Sequence, residues 1–191
     1  MKHLVTPRLL MRPFTESDLG ELFSLYSDTE VMKYINGGIA QTLEETKTAL
    51  NRMIGNFAKH GYGMFALFER KEKRFIGRCG LQPLEDSGLI ELGYTLIPSA
   101  WGKGFATEAS MEVLRSAFRD WGLEKVVAIS LEENRASTRV MEKIGMIHGG
   151  RERFYNRDVV LYSAIKPEER VENIFQSSFR KQEKRIAAVY Q

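Results

Sequence analysis

The sequence is poor in residues that crosslink a fold or bind metal ions. Its 191 residues include one cysteine, Cys79, and three scattered histidines, His3, His60 and His148. A single cysteine excludes an intramolecular disulfide, and the histidines have no zinc-binding spacing. We therefore expect no metal in the functional site. A chain of this length can bury a sizeable core without such crosslinks.

Long apolar runs and a strong excess of charge are also missing. No stretch approaches the roughly 20 apolar residues of a membrane span. Pro7, Arg8 and Arg12 interrupt the N-terminal segment, which therefore does not resemble a signal peptide. The formal net charge of +3 is too small to indicate nucleic-acid binding. These absences favour a soluble protein of the reducing cytoplasm with no nucleic-acid or membrane partner.

The remaining composition is that of one globular domain followed by a charged extension. The hydrophobic fraction, 43%, is ordinary for a folded protein. We predict a domain over residues 1–166. The charged segment 167–191 has only a weak amphipathic pattern, and we expect it to be helical or partly disordered.

Local signals divide the domain into strands and helices. Thr15 with Asp18, and Thr42 with Glu45, have the capping-box spacing that predicts two early helices, and Gly61 ends the second. Two later helices are predicted over residues 102–120 and 134–145. The predicted strands are 7–14, an antiparallel meander of 62–70, 74–84 and 88–98, then 125–131 and a final hairpin that turns near 156–157.

A glycine turn lies between the strand 88–98 and the following helix. Gly102 and Gly104 let the backbone approach a ligand closely, the helix N-terminus carries partial positive charge, and Lys103 adds a full one. This arrangement predicts an anion site, most often for phosphate. The P-loop pattern is absent because Gly104 follows Lys103, and Thr107 stands where a dinucleotide fingerprint has its third glycine. A glycine-rich loop without a ligand is the alternative.

The stretch "WGKGFA" (residues 101–106) resembles the acetyl-CoA pyrophosphate loop of the GNAT superfamily of N-acetyltransferases, with Trp101 in place of the usual Gln or Arg. Together with "IELGYTLIPSAWGKGFATEA" and "NRASTRVMEKIGM", it resembles the ribosomal-protein alanine acetyltransferase (RimJ/RimL-like) branch. The resemblance covers residues 6–165. It implies an α+β fold in α/β/α layers. The central sheet is expected to be mixed but mostly antiparallel, of about seven strands, with a V-shaped splay between strands 4 and 5.

The resemblance also implies direct transfer of acetyl from acetyl-CoA to a primary amine. The pantetheine arm would pair with the backbone of Tyr94, Thr95 and Leu96 in a gap opened by a β-bulge. A backbone N–H near Leu96 would stabilise the thioester oxygen. Asn134 would contact the cofactor or act only as a helix cap. The pyrophosphate would lie on N–H groups of Gly102, Lys103, Gly104, Phe105, Ala106 and Thr107.

The attacking amine must be neutral, which makes a general base useful. An α-amino group has a pKa near 8, so about a tenth is neutral at pH 7, whereas a lysine near 10.4 is almost wholly charged. Glu91 is our candidate base, acting directly or through water. Strand alternation puts it on one face with Gly93 and Thr95. Alternatively, Glu91 is a strand carboxylate paired with an arginine.

The departing thiolate needs a proton donor. Many family members use a tyrosine where this chain has Met141, and the branch resembled here uses the serine at Ser137, which could also be an ordinary helix serine. A second departure is Gly149, where the branch often has an acidic residue; His148 and Glu152 lie nearby. Met141 and Gly149 keep open a non-catalytic acyl-CoA-binding sensor or interaction module.

The acceptor site is expected between the early helices and the final hairpin. Candidate lining residues are Tyr34, Asn36, Tyr155 and Arg157, and the glycines of segment 34–40 suggest a mobile loop at the entrance. We expect a small-molecule or peptide amine as the acceptor, and the sequence does not distinguish a protein N-terminus from a polyamine, an amino sugar or an amino acid. The oligomeric state stays open between a monomer and a homodimer, and the resemblance is compatible with a dimer.

Overall fold

A sheet of eight strands with helices on both faces makes up residues 3–167, the part of the chain that this computed structural model describes. The strands are β1 Leu4–Val5, β2 Leu9–Pro13, β3 Met64–Glu69, β4 Arg74–Pro83, β5 Ile90–Leu96, β6 Lys125–Ser130, β7 Ile147–Phe154 and β8 Arg157–Ile165. The α-helices are α1 Leu19–Tyr26, α2 Thr29–Met32, α3 Leu43–His60, α4 Phe105–Arg119 and α5 Arg135–Lys143. Of the predicted extension 167–191, only Pro167 lies within the described residues.

The strand order is β1-β2-β3-β4-β5-β6-β8-β7, and only the β5–β6 pair is parallel. This mixed, mostly antiparallel sheet with flanking helices confirms the predicted α+β class. The two-residue strand β1 pairs with β2 through Leu4 and Met11 and adds to the predicted number. The splay therefore lies between the fifth and sixth strands.

The predicted helix caps are present. The Asp18 carboxylate accepts the Thr15 N–H at 2.8 Å, at a short 3-10 turn that leads into α1. Before α3, Glu45 accepts the Thr42 N–H at 2.7 Å and donates its own N–H to Thr42 Oγ1 at 3.3 Å. Gly61 ends α3 in the left-handed region, with φ of 75°. These contacts are local, which explains why spacing alone located both helices.

Each face of the sheet buries its own hydrophobic cluster. One cluster lies under α4 and α5 and includes Leu92, Ala109 and Met141. The other lies under α1, α2 and α3 and includes Leu22 and Leu50. Because alternate residues of a strand point to opposite faces, neighbouring residues of β5 belong to different halves of the molecule.

The strands β5 and β6 are paired only at one point, between Glu91 and Val127. Beyond it they separate, because each follows its other neighbour. Pairing of β5 with β4 continues from Pro83–Ile90 to Gly77–Leu96, and β6 is paired with β8 along its whole length. The expected β-bulge is not seen in the β4–β5 ladder, whose register has no shift. The splay therefore comes from strand divergence.

The β7–β8 hairpin turns at Tyr155 and Asn156, one residue earlier than predicted. Both have positive φ, 51° and 59°, as a two-residue type I′ turn requires. The turn reaches back toward the β4–β5 turn, where the Tyr155 N–H donates to Glu85 Oε2 at 3.0 Å. Within residues 3–167, no helix is long and apolar enough to cross a membrane.

Candidate active site

The glycine turn forms an accessible loop at the start of α4. Gly102 and Gly104 have φ of 72° and 79°, the left-handed region in which a side chain is strained. Residues 101–104 are exposed, and α4 begins at Phe105. The first N–H groups of a helix have no acceptor within the helix. The loop can therefore offer N–H donors to an anion.

An arginine distant in sequence holds this loop in place. Arg8 Nη1 donates to the carbonyl of Lys103 at 2.9 Å, and its guanidinium lies over the Phe105 ring at 4.6 Å. Arg8 Nε pairs with buried Glu108 at 2.5 Å, and Thr6 Oγ1 donates to the same carboxylate at 2.5 Å. No local motif marks these residues in the sequence, because Arg8 and Glu108 lie a hundred positions apart.

Trp101 links the loop to the end of β5. Its indole Nε1 donates to the carbonyl of Leu96 at 2.8 Å, although the side chain is 43% exposed. The sequence marked Trp101 only as a departure from the usual loop. The structure gives it a contact that fixes the distance between the glycine turn and the strand.

The alternation of hydrogen-bonded and non-hydrogen-bonded pairs along the β4–β5 ladder determines which backbone groups of β5 face the gap. Ile97 N–H donates to Ile76 at 3.0 Å, and Leu84 N–H to Leu89 at 2.9 Å, at opposite ends of the β4–β5 ladder. Hydrogen-bonded pairs alternate in an antiparallel ladder. The backbone of Thr95 is therefore turned toward β4. Tyr94 and Leu96 are the residues whose backbone groups face β6.

Two hydroxyl groups meet beside this gap. The Tyr94 hydroxyl lies 2.8 Å from Ser137 Oγ and 3.0 Å from the Ser137 carbonyl. Burial raises the pKa of Tyr94 above its ordinary value, with the Ser137 contact opposing the rise, so the phenol is protonated at neutral pH. Asn134 caps α5 by accepting the Ser137 N–H at 3.3 Å. The Tyr94 hydroxyl is a polar group that the sequence analysis did not single out.

Glu91 lies on the opposite face of β5, as strand alternation predicts. It is 7% exposed, and Gln82 Nε2 donates to its Oε2 at 2.8 Å. The Tyr155 hydroxyl approaches the same oxygen at 3.5 Å, long for such a bond. Burial raises the pKa of Glu91, while Gln82, the charge of Arg78 and Tyr155 oppose the rise. Burial and the charges of Glu91 and Glu85 raise the pKa of Tyr155 to about 12.

The two departures from the family pattern have structural explanations. Met141 is 1% exposed and packs in the core below α5, so it replaces a tyrosine with an apolar contact. Gly149 lies at the register shift in β7. His148 and Glu152 are on the same strand, at the sheet edge, with β6 and β8 between them and β5. The His148 ring contacts Tyr162, so the structure does not bring these two residues to Glu91.

Of the predicted acceptor residues, Tyr155 is the one that contacts Glu91. Tyr34 is partly buried near Lys33, and Arg157 begins β8 beside the turn. The backbone of Asn36 lies in a short 3-10 turn, Asn36–Gly38, before α3. No group of three or more His, Cys, Asp or Glu side chains suited to a metal ion occurs in the described part of the chain.

Comparisons with known proteins match this geometry. A family model described as an acetyltransferase (GNAT) domain matches residues 8–147. The chain is 34% identical over 148 residues to the uncharacterized N-acetyltransferase YnaD of Bacillus subtilis (strain 168), covering 78% of this chain and 84% of that protein.

Two solved structures have the same fold. The GNAT-family acetyltransferase from Bacillus anthracis has a TM-score of 0.75 at 29% identity, covering 87% of this chain and 100% of that one. The spermidine N-acetyltransferase from Vibrio cholerae, crystallised with CoA and spermine, has a TM-score of 0.70 at 21% identity, covering 84% of this chain and 97% of that one.

Proposed function

The chain belongs to the GNAT family of acetyl-CoA-dependent N-acetyltransferases, and from that premise we propose that it transfers acetyl directly to a primary α-amine in a ternary complex. One observation carries this proposal. The gap between β5 and β6 has strand backbone on one side and the glycine turn at its end. Such a gap suits a ligand that is strand-like at one end and phosphorylated at the other.

The residues around the gap are compatible with CoA. Tyr94 and Leu96 would pair with the amide groups of the pantetheine arm, and the N–H groups of residues 102–107 would bind the pyrophosphate, with Lys103 adding charge. Asn134 would contact the cofactor from α5 while it caps that helix. The backbone of Thr95 is directed toward β4 and would not pair with the cofactor. Only the side chain of Thr95 is available to a ligand.

The reaction forms an amide N–C bond as the thioester C–S bond breaks. Of the two N–H groups that face the gap, that of Tyr94 lies farther from the glycine turn, and it would donate to the thioester oxygen as negative charge develops there. Glu91 would accept the proton that the amine loses. Glu91 lies four positions before Thr95 on β5, about 13 Å away, so this proton would travel through water. An α-amine suits such a site because its pKa, near 8, leaves about a tenth neutral at pH 7.

The leaving thiolate would take a proton from the hydroxyl pair. Ser137 would donate to the sulfur, and Tyr94 would donate to Ser137 Oγ, so that the serine proton is free to point into the gap. The 2.8 Å contact between these hydroxyls supports this assignment. A non-catalytic acyl-CoA-binding module would need no such donor, which makes it the weaker alternative. The RimJ/RimL-like branch and a cytoplasmic location stay predictions.

We would first titrate acetyl-CoA by calorimetry into wild type and Gly104→Trp. The indole would obstruct the loop, and losing one or two charge-assisted hydrogen bonds should weaken binding by at least about 100-fold. Gly88→Trp is the matched control, because Gly88 has a similar φ of 74° in the β4–β5 turn and no atom within 4 Å of its added Cβ. It should bind as wild type does.

Released thiol, measured with a panel of amines, then tests transfer. Thiol release with at least one amine is the expected result. If folded wild type fails to bind acetyl-CoA, or binds it and transfers to no amine, the proposal is wrong. In the second case the acyl-CoA-binding module becomes the better explanation.

A further inference from the structure

Within the described residues, one arginine on the acceptor face of the sheet has no carboxylate partner. Arg78 in β4 is paired with Thr95 in β5, and alternation puts both on the face that carries Glu91. The Arg78 guanidinium lies 5.4 Å from the centre of the Tyr26 ring, and its Nη1 is 3.3 Å from Met64 Sδ. Between residues 3 and 167, no Asp or Glu forms an ion pair with it.

Polar atoms on this face are buried without hydrogen-bond partners in the described part of the chain. They are Arg78 Nε, Thr95 Oγ1 and Gln41 Oε1. Thr95 is 4% exposed, and Gln41 is joined to Tyr26 through a backbone hydrogen bond of 2.9 Å. Buried polar atoms are nearly always paired in folded proteins, so a group of unpaired ones indicates a partner that binds there.

The chemistry of these atoms favours an anionic partner. A guanidinium has a planar fork of N–H donors that matches a carboxylate, and a threonine hydroxyl can donate to the same group. A second cation, Arg52, lies close enough for its charge to act on Tyr26. Glu91 lies on the same face and interacts with the charge of Arg78, so this face can also accept an ammonium group. A ligand that carries both a carboxylate and an amine therefore fits it better than one that carries ammonium groups only.

We propose that the acceptor is a free α-amino acid whose carboxylate is bound by Arg78 and Thr95. This inference rests on the proposed function and narrows its acceptor. Thr95 directly follows Tyr94, whose N–H faces the gap. A carboxylate at the Arg78–Thr95 pair therefore holds the α-amine, one carbon away, beside the position proposed for the acetyl group. A peptide N-terminus presents an amide in place of this carboxylate and fits less well.

The test compares each amino acid with its α-carboxamide, which lacks the charge. Because the carboxylate also raises the pKa of the neighbouring amine, each rate is referred to the concentration of neutral amine. Thiol release is measured for each of the common α-amino acids and for its α-carboxamide, together with spermidine and a short peptide beginning with alanine. Wild type should acetylate the best amino acid with kcat/KM roughly 10- to 100-fold above that of its amide, the range expected for hydrogen bonds to a charged group.

Variants at Arg78 separate charge recognition from folding. Arg78→Met should remove the preference for the acid while acetyl-CoA binds as it does to wild type, and Arg78→Lys should retain part of the preference. Arg74→Met is the control, because Arg74 lies on the same strand but pairs with Glu69 and Glu72. It should keep the wild-type preference.

A binding measurement makes the test independent of turnover. CoA-loaded protein is titrated with the N-acetyl derivative of the best amino acid and with the corresponding N-acetyl amide. Where no amino acid is turned over, all N-acetyl amino acids are titrated. Tighter binding of the acid in wild type, lost in Arg78→Met, supports the proposal.

Equal use of acid and amide, a preference for spermidine or the peptide, or no binding of any N-acetyl amino acid overturns it. Failure to bind acetyl-CoA would instead overturn the proposed function.

Discussion

The two sides of the site differ in whether their buried polar groups have hydrogen-bond partners within the described residues. On the cofactor side, Glu108 accepts hydrogen bonds from Thr6 and Arg8, and Trp101 donates to the end of β5. On the acceptor side, Arg78 Nε and Thr95 Oγ1 lack partners within residues 3–167. The loop is held by the protein itself, whereas the acceptor face has donors available to a ligand.

This difference indicates that the polar contacts of the cofactor side stabilise the fold, whereas the unpaired polar atoms of the acceptor side destabilise it. A buried carboxylate with several donors fixes the geometry of the loop before any ligand arrives. Buried polar atoms without partners cost about 1–3 kcal/mol each. Such a cost is typical of positions used for binding. Substitutions on the two sides should therefore separate stability from activity.

The largest effect is expected on the acceptor side, from Glu91→Gln. Loss of a general base typically costs about 10²- to 10⁴-fold in rate, and we expect kcat/KM to fall by at least 100-fold at pH 7 with little change in acetyl-CoA affinity. In wild type, kcat/KM should fall as pH drops through the raised pKa of Glu91. That limb of the pH profile should be missing in the variant.

The same substitution should stabilise the fold at neutral pH. The pKa of Glu91 is raised in the folded state, chiefly by burial, so its ionisation above that pKa disfavours folding. The melting temperature of Glu91→Gln should exceed that of wild type at pH 8. The gap should close below about pH 4.3, the ordinary glutamate value. A less stable variant at pH 8, or an unchanged rate, would contradict the assigned role.

The sequence predicted the cofactor side better because its signals are local. The glycines at 102 and 104 and the cap at Asn134 follow from neighbours within a few residues. The hydroxyl pair of Tyr94 and Ser137 joins residues 43 positions apart, and no periodicity marks such a contact.

The next largest effect is expected on the cofactor side, from Glu108→Ala. This change leaves Arg8 and Thr6 without their shared carboxylate, and breaking a buried pair costs about 3–5 kcal/mol. Because Arg8 Nε is partly exposed, with 18% of its side chain accessible, we expect the lower end, measured by urea unfolding. Acetyl-CoA affinity should also fall, since Arg8 positions the Lys103 carbonyl.

Glu132→Ala is the matched control for Glu108→Ala. Glu132 pairs with Arg151, but both side chains are more than half exposed, and exposed pairs contribute about 0–1 kcal/mol. Its stability should stay within about 0.5 kcal/mol of wild type. Equal losses in the two variants would mean that the Glu108 network does not hold the loop.

The acceptor side was harder to predict because distant segments form it. Arg78 and Thr95 come from neighbouring strands, Tyr26 from α1 and Tyr155 from the final turn. Their approach depends on strand register, because a one-residue slip would turn every side chain of a strand to the opposite face of the sheet. The alternative considered for Glu91, a pairing with an arginine, illustrates this limit, because Arg78 acts on Glu91 through its charge without forming an ion pair in the described residues. The closest polar partner of Glu91 is Gln82, directly opposite on β4.

The smallest effect, from Thr95→Val, distinguishes the two sides most directly. Valine has nearly the shape of threonine and removes a buried hydroxyl that has no partner in the described chain, so stability should be unchanged or rise by up to about 1 kcal/mol. Thr46→Val is the control, because buried Thr46 donates to the Thr42 carbonyl at 2.9 Å, and it should lose about 1 kcal/mol. Urea unfolding measures both. If Thr95→Val is destabilised as much as Thr46→Val, the Thr95 hydroxyl already has a hydrogen-bond partner in the free protein. The acceptor side would then have no more unpaired polar groups to offer a ligand than the cofactor side has.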